Sequence, residues 1–193
     1  MTGEDPYVDT KGVLLNKLDI TSSSALSQAE TDLSLAAMLR LSVHPLPGSY
    51  DLGHLQSFHR QIFGAVYPWA GELRTVDIAR TGQDVFCRCA FIESYSAGVF
   101  ADLAAEGRLM GLRRNAFVAR LAHYYGEINA IHPFREGNGR TQRAFLGQLG
   151  RDAGWRIAWS AMDGHQNDTA SAAALQGDTT LLATMFESLV RPI

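Results

Sequence analysis

The stretch from His132 to Arg143 constrains the fold more than any other part of the sequence. It reads His-Pro-Phe-Arg-Glu-Gly-Asn-Gly-Arg-Thr-Gln-Arg. Pro133 disfavours helix at the residue before it, and Gly137 and Gly139 tolerate backbone conformations that other residues resist, so we predict a tight loop. Apolar residues recur at helical spacing on both sides, so the loop joins two helices. A glycine-containing loop that opens a helix exposes backbone N–H groups at the positive end of the helix dipole, and this predicts an anion site.

The side chains of this stretch suit phosphate chemistry. His132 is an imidazole with an ordinary pKa of about 6.5, and it can accept a proton near neutral pH. Glu136 is the only acid in the loop, and Arg140 and Arg143 share one face of the following helix. Asn-Gly is also a common turn signal, so a plain surface turn is the alternative. The combination of one imidazole, one acid, a glycine nest and two arginines favours a phosphate site.

A nucleoside triphosphate can be assigned to this loop group by group. We predict that the backbone N–H groups around Gly137, Asn138 and Gly139 meet the α-phosphate, with the Asn138 amide either adding a donor or bracing the loop. Arg140 and Arg143 are predicted to bind the terminal phosphates through bidentate, charge-assisted contacts.

Two further roles complete the predicted site. Glu136 is predicted to hold the Mg²⁺ that accompanies a triphosphate, because this ion prefers carboxylate and phosphate oxygens. His132 is the predicted general base, which takes the proton of a hydroxyl as that hydroxyl attacks the α-phosphorus.

The same stretch resembles the core motif of Fic-domain proteins, His-x-Phe-x-Asp/Glu-Gly-Asn-Gly-Arg-x-x-Arg, and it meets every defined position. The resemblance continues through Tyr67–Arg74. It implies an enzyme that moves AMP from ATP, with Mg²⁺, onto a Tyr, Thr or Ser hydroxyl of a protein, with the residue roles given above. The Doc branch, which transfers phosphate, usually has Lys where Gly139 stands, so the resemblance favours adenylylation. A Doc-like kinase or other nucleotide-linked transferase, and a non-catalytic nucleotide-binding module, remain alternatives.

The rest of the sequence is mainly helical in pattern. Ser27 and Glu30 have the form of a capping box at the start of a first helix. We expect residues 1–20 to be an extended lead-in and residues 21–193 to be a single Fic-type helical domain. Further helices are predicted at 51–64, 92–107, 117–131, 141–153, 163–175 and 179–190.

A β-hairpin across about residues 74–89 is the exception to this pattern. Its apolar residues alternate around the turn signal Thr81-Gly82-Gln83-Asp84. An isolated hairpin is only marginally stable in water, so it has to pack on the helices. The resemblance implies a flap beside the active site that holds a target-protein segment by main-chain pairing. A simple brace for the core is the alternative.

Composition limits the partners. The formal net charge is −3 and the sequence pI is about 6.0, which excludes the basic surface that non-specific nucleic-acid binding needs. No apolar run approaches about 18 residues, so we expect no membrane segment and a cytoplasmic location.

The sequence lacks a motif that usually restrains Fic adenylyltransferases. In them a helix bearing Ser/Thr-x-x-x-Glu-Gly/Asn places its glutamate on the second arginine of the core motif. Here only Glu106 and Glu136 precede Gly or Asn, and neither follows a Ser or Thr by four residues. The resemblance therefore implies a small antitoxin with an inhibitory helix, whose glutamate reaches Arg143. Toxins of this group modify DNA gyrase and topoisomerase IV, which become expected targets.

Overall fold

A computed structural model describes residues 5–79 and 86–193, and most of these residues lie in seven helices. The prediction of a mainly α fold is confirmed. Three short 3₁₀ turns connect the helices at Cys89–Phe91, Gly107–Leu109 and Trp159–Ala161. The helices are α1 Ser23–Val43, α2 Leu52–Phe63, α3 Ile92–Ala105, α4 Arg114–Ile131, α5 Asn138–Asp152, α6 Gly164–Leu175 and α7 Thr180–Leu189.

Helix α4 is the central element of the core. It packs against α3, α5, α6 and α7, while α5 also contacts α1 and α2. Burying one large apolar side chain contributes roughly 1.5–3 kcal/mol, and the inner face of α4 buries several of them. The loop between α4 and α5 therefore starts and ends on rigid helices. The buried apolar residues of α4 are Phe117, Val118, Leu121, Ala122, Tyr124, Tyr125, Ile128 and Ile131.

Helix α1 begins earlier than the sequence pattern indicated. Its N-cap is Ser22, whose side chain accepts the Ala25 N–H, so the predicted capping box at Ser27 is wrong. Ser27 lies inside the helix. Glu30 does not turn back to cap the helix, because its carboxylate is buried against the side chains of α5.

A two-stranded antiparallel sheet was not predicted. Strand β1, Trp155–Ile157, pairs with β2, Val190–Pro192, with Arg156 opposite Arg191. Three residues are too few to show an alternating pattern, and the two strands lie far apart in the sequence. The sheet joins the end of α5 to the end of α7, on the side of the core away from the α4–α5 loop.

The N-terminal segment turns back on itself instead of running extended. The Asp9 carboxylate accepts N–H groups from Lys11 and Val13, and Val8 bridges Leu14. Tyr7 is buried, and its ring packs against the core. The segment is therefore part of the folded body from residue 5 onward.

The two legs of the predicted hairpin lie side by side. The Phe86 N–H donates to the Ile78 carbonyl at 3.3 Å, and the Cys87 N–H donates to the Ala130 carbonyl at 2.8 Å, which ties the second leg to α4. The predicted turn at 81–84 lies outside the described residues. Cys87 and Cys89 are partly buried free thiols. None of the described helices combines the length and apolarity that crossing a bilayer would need.

Candidate active site

His132 ends α4 in a left-handed conformation, with φ 45° and ψ 60°. Such a backbone is costly for a residue with a Cβ and occurs often at functional sites. Its Nδ1 lies 3.3 Å from the Asn129 carbonyl. A carbonyl can only accept, so Nδ1 carries the proton and Nε2 is the basic nitrogen. The ring of Phe86, on the second leg of the hairpin, stacks on the imidazole with centroids 3.7 Å apart.

Gly137 is the N-cap of α5, and nothing larger fits there. Its φ is +80°, and a Cβ at this position would lie 2.3 Å from the ring of Phe63. The first intrahelical bond runs from the Thr141 N–H to the Gly137 carbonyl at 3.0 Å. The N–H groups of residues 138–140 therefore have no helical acceptor, which is what the predicted anion nest requires.

Asn138 braces the loop with its side chain. Its Oδ1 accepts the Phe134 N–H at 2.9 Å, and its Nδ2 donates to the Phe134 carbonyl at 2.7 Å. Of the two roles considered for the amide, bracing is the one seen. What remains for a phosphate at this position is the backbone N–H.

His59, on α2, supports the loop through a hydrogen bond, and this role was not predicted from the sequence. It is fully buried, its Nδ1 accepts the Gly71 N–H at 2.7 Å, and its Nε2 donates to the Glu136 carbonyl at 2.9 Å. Burial lowers its pKa to about 4, so it is neutral at physiological pH. Its spacing from Leu55 and Ile62 on α2 was the available signal, because those residues mark the core face.

Arg140 is held by a buried cluster. Its Nη2 donates to the Glu30 carboxylate, and its Nη1 donates to the Ser34 hydroxyl at 3.1 Å. Its guanidinium carbon lies 4.7 Å from the centre of the Phe63 ring. A second acid, Glu136, is further away, with Oε1 at 3.5 Å from Nη2. Sequence reasoning did not foresee Glu30 here, since it had been assigned to the helix cap.

Arg143 has a different setting, three residues further along α5. It interacts with the buried Tyr125 hydroxyl, and within residues 5–79 and 86–193 no carboxylate lies within ion-pair distance of it. It borders a mostly apolar groove of about 120 Å³ between α1 and α5. The other lining residues are Met38, Leu41, Ser42, Ala144, Gly147, Arg151 and Trp159.

Glu136 can bind a cation only if further ligand atoms come from outside the protein. Its Oε1 accepts the Gly137 N–H at 2.7 Å, and its side chain is 42% exposed. In the part of the chain that the structure describes, no three His, Cys, Asp or Glu side chains are grouped to hold a metal. Mg²⁺ commonly uses one or two carboxylates plus phosphate oxygens, so this donor set fits an ion that arrives with a triphosphate.

Arg74 joins the flap to the histidine and was also missed. It is 2% exposed, its Nε donates to the His132 carbonyl at 2.8 Å, and its Nη1 donates to the Val76 carbonyl at 2.7 Å. Its Nη2 donates to the Cys87 carbonyl. One side chain thus binds both legs of the hairpin and the end of α4. Burial lowers the pKa of this guanidinium. An arginine that closes the aromatic Tyr67–Arg74 segment was the only sign in the sequence.

Comparisons with known proteins agree with this geometry. The model of the Fic/DOC family matches residues 49–149. The probable protein adenylyltransferase Fic of Escherichia coli is 38% identical over 189 residues, which cover 97% of this chain and 93% of that protein. Protein adenylyltransferase VbhT of Bartonella schoenbuchensis is 38% identical over 183 residues, and this chain spans 94% of its own length but 38% of VbhT. The N-terminal Fic domain of a Bep effector from Bartonella quintana, solved with bound ADP, superposes with a TM-score of 0.92 at 25% identity and covers 96% of this chain and 94% of that one.

Proposed function

Since this chain belongs to the Fic/DOC family, we propose that it transfers AMP from ATP to a Tyr, Thr or Ser hydroxyl of a target protein. By enzyme class it is a protein adenylyltransferase, because relatives that match nearly its whole length bear that name. The proposal of AMP transfer to a hydroxyl depends mainly on one observation. His132 ends α4 with Nε2 as its basic nitrogen, and it lies beside the N–H groups at the start of α5 that have no helical acceptor. A base next to an anion nest is what attack on a phosphate requires.

The chemical step follows from the His132 tautomer. Nε2 of His132 takes the proton of the target hydroxyl, and the hydroxyl oxygen forms a bond to the α-phosphorus. The bond from the α-phosphorus to the oxygen that bridges to the β-phosphate breaks, and pyrophosphate leaves. Phe86 covers one face of the imidazole and keeps the ring from turning as it gains its charge. Positioning and electrostatics account for most of the rate in such transfers.

The phosphates are held by groups from α5. The N–H groups of residues 138–140 bind the α-phosphate, and Arg140 and Arg143 bind the phosphates that leave. Glu136 is the residue that would hold Mg²⁺, whose charge would offset that of the phosphates when it is bound. Asn138 keeps the loop in the shape that aims the N–H groups.

In this proposal the hairpin flap holds the target-protein segment that carries the hydroxyl. Its legs meet near Ile78 and Phe86, and Arg74 fixes both legs to the carbonyl of His132. A target segment that pairs with the flap as an added strand would therefore be held at a fixed position relative to His132. The flap as a simple brace is the alternative, and a target peptide that is labelled equally well by a variant with a disrupted flap would favour it.

Labelled ATP tests this function. Purified chain, Mg²⁺ and bacterial extract are incubated with ATP labelled at the α-phosphate, and a labelled protein band is expected. His132→Ala should abolish the label, while His165→Ala, an exposed histidine of α6, should not. Equal labelling by His132→Ala contradicts the mechanism. Label only from γ-labelled ATP indicates a Doc-like kinase, and ATP binding without any label indicates a non-catalytic module.

A partner protein is the proposed restraint on Arg143. Beside the Arg143 groove, α1 presents an apolar ridge with Leu35 55%, Leu39 61% and Val43 69% exposed, spaced four residues apart on one face. An amphipathic helix laid on this ridge could extend a glutamate to Arg143 and compete with phosphate. We assign this role to a small antitoxin.

The same proposal names the targets to test first. The chain acts as the toxin of the pair in a bacterial cytoplasm, on DNA gyrase or topoisomerase IV. Purified gyrase and topoisomerase IV are incubated with the chain and labelled ATP, and mass spectrometry identifies the modified peptide. Labelling of other proteins, with neither topoisomerase modified, contradicts this choice of target and leaves the transfer itself intact.

A further inference from the structure

Glu30 is a buried carboxylate that lies outside the loop motif. It is 8% exposed and lies on α1, 110 residues before the arginine that it contacts. One of its oxygens accepts from Arg140 Nη2, and the other accepts from the hydroxyl of Tyr67. A buried carboxylate without such partners would be strongly destabilising, so the cluster is stable only as a unit.

The cluster fixes the orientation of Arg140. A guanidinium carries its N–H donors in a rigid fork, and two branches of this fork are already directed, one to Glu30 and one to Ser34. Phe63 covers one face of the guanidinium. Burial and the hydrogen bond that Tyr67 donates to Glu30 raise the pKa of the Tyr67 hydroxyl, so this hydroxyl stays protonated and remains a donor.

Two carboxylates compete for the same guanidinium. Nη2 of Arg140 donates a short hydrogen bond to Glu30 and a long one, of 3.5 Å, to Oε1 of Glu136, so its ion pair with Glu30 is the closer of the two. If Glu30 lost its charge, Glu136 would be the nearest remaining anion for Arg140. An arginine drawn onto Glu136 would neutralise the acid that a cation has to use.

We propose that Glu30 is a positioning residue that draws Arg140 towards α1 and so limits its contact with Glu136 to the long ion pair seen here, which leaves Arg140 available to phosphate and Glu136 to the cation. The inference rests on the proposed function, because it assumes that Arg140 meets a phosphate and Glu136 a divalent cation. It adds a third charged residue, from α1, to Glu136 of the loop and Arg140 of α5.

The Mg²⁺ dependence of ATP binding tests this inference. The ATP affinity of the full chain is measured by calorimetry over a series of Mg²⁺ concentrations. In Glu30→Gln, which keeps the shape and removes the charge, the Mg²⁺ concentration for half-maximal affinity should rise about tenfold, the size expected for one lost charge-assisted contact. The matched control is Glu106→Gln, which removes a carboxylate that pairs with Arg120 far from the loop, and it should match wild type.

A double-mutant comparison separates positioning from general damage. If Glu30 acts through Arg140, Glu30→Gln should shift the Mg²⁺ curve less than about twofold in an Arg140→Ala background. A merely structural role would weaken ATP binding at every Mg²⁺ concentration and leave the midpoint in place. An unchanged midpoint in Glu30→Gln, or the same tenfold shift without Arg140, overturns the inference.

A substitute variant and a separate labelling result keep this inference distinct from the proposed function. If Glu30→Gln does not fold, Arg140→Lys serves instead, because a lysine keeps the charge and cannot hold Glu30 and Ser34 with one fork. It should move the midpoint in the same direction, and an unmoved midpoint overturns the inference. A wild-type chain that binds Mg²⁺-ATP and labels no protein contradicts the proposed transfer, while the binding curves still decide the role of Glu30.

Discussion

Arg140 and Arg143 lie on the same face of α5, one turn apart, in opposite surroundings. Arg140 is enclosed by Glu30, Ser34 and the ring of Phe63, so its orientation is fixed when the chain folds. Arg143 lies beside the buried Tyr125 hydroxyl and borders a groove, and the described residues place no carboxylate on it. The difference suggests a division of labour in the proposed site. One arginine is preorganised for phosphate, and the other is left accessible to ligand or partner.

Preorganisation explains why the two sides should respond differently to mutation. A group that is fixed during folding loses little entropy when it binds a ligand, but its removal damages the fold. A group in an open groove contributes little to the fold, and its loss appears only when a ligand or partner is present. Stability and binding measurements can therefore separate the Arg140 side from the Arg143 side.

The largest loss of stability is expected at Gly137, the N-cap of the helix that carries both arginines. Gly137→Ala forces a Cβ into a left-handed backbone and into the ring of Phe63, so the free energy of unfolding should fall by about 4 kcal/mol. Gly12→Ala is the matched control, because Gly12 has a similar φ of +78° and nothing within 4 Å, and it should cost only about 1 kcal/mol. Urea unfolding measures both. Equal losses would show that the Phe63 contact does not matter.

The second prediction compares the arginines directly. Arg140→Ala leaves the Glu30 carboxylate buried without its cation, so it should lower the free energy of unfolding by about 3 kcal/mol. Arg143→Ala removes its interaction with the Tyr125 hydroxyl, which keeps its hydrogen bond to Asn167, so the loss should be no more than about 1 kcal/mol. The measurement is urea unfolding without nucleotide. Similar values for the two variants would contradict the division between an enclosed and an open arginine.

The sequence could specify the loop because its requirements are local. Gly137 is needed for a positive φ, Asn138 for a bond to its own loop, and both can be inferred from neighbours within a few residues. Glu30 could not be inferred, because its partners are 37 and 110 residues away and a cap was a plausible local use of the same residue. Long-range polar contacts leave no periodic signal in a single sequence.

The same reasoning applies to the fold. All seven helices were predicted from helical spacing and end signals, and α2 has its N-cap at Asp51, where the predicted range 51–64 begins. The sheet of β1 and β2 was missed because three-residue strands carry too few positions for a pattern. Arg74 was missed because its four acceptors are backbone carbonyls, which any sequence provides.

The third prediction concerns pH and the support beneath Glu136. The pKa of His59 is lowered to about 4 by burial, whereas an unfolded histidine titrates near 6.5. The unfolded state therefore binds more protons between these values, and stability should fall as pH drops, by about 2 kcal/mol at pH 5 from this group. His59→Gln should flatten the dependence of urea unfolding on pH between 7 and 5. Replacing the exposed His44 by Gln should leave the slope unchanged, and a wild-type slope in His59→Gln would contradict the assignment.

The smallest change in stability is expected on the exposed ridge of α1 beside the Arg143 groove. Binding of the proposed antitoxin should change strongly there. Leu39→Glu replaces an exposed side chain of the α1 ridge, so the free energy of unfolding should change by no more than about 0.5 kcal/mol and transfer activity should persist. A glutamate there places a charge in the proposed contact with the antitoxin helix, and co-expressed antitoxin should no longer suppress toxicity. Leu181→Glu is the control, because Leu181 is 44% exposed on α7 and does not line the groove beside Arg143, and suppression should survive. If the antitoxin still suppresses Leu39→Glu but fails against Leu181→Glu, the partner binds at α7, and the open side of Arg143 is not its docking surface.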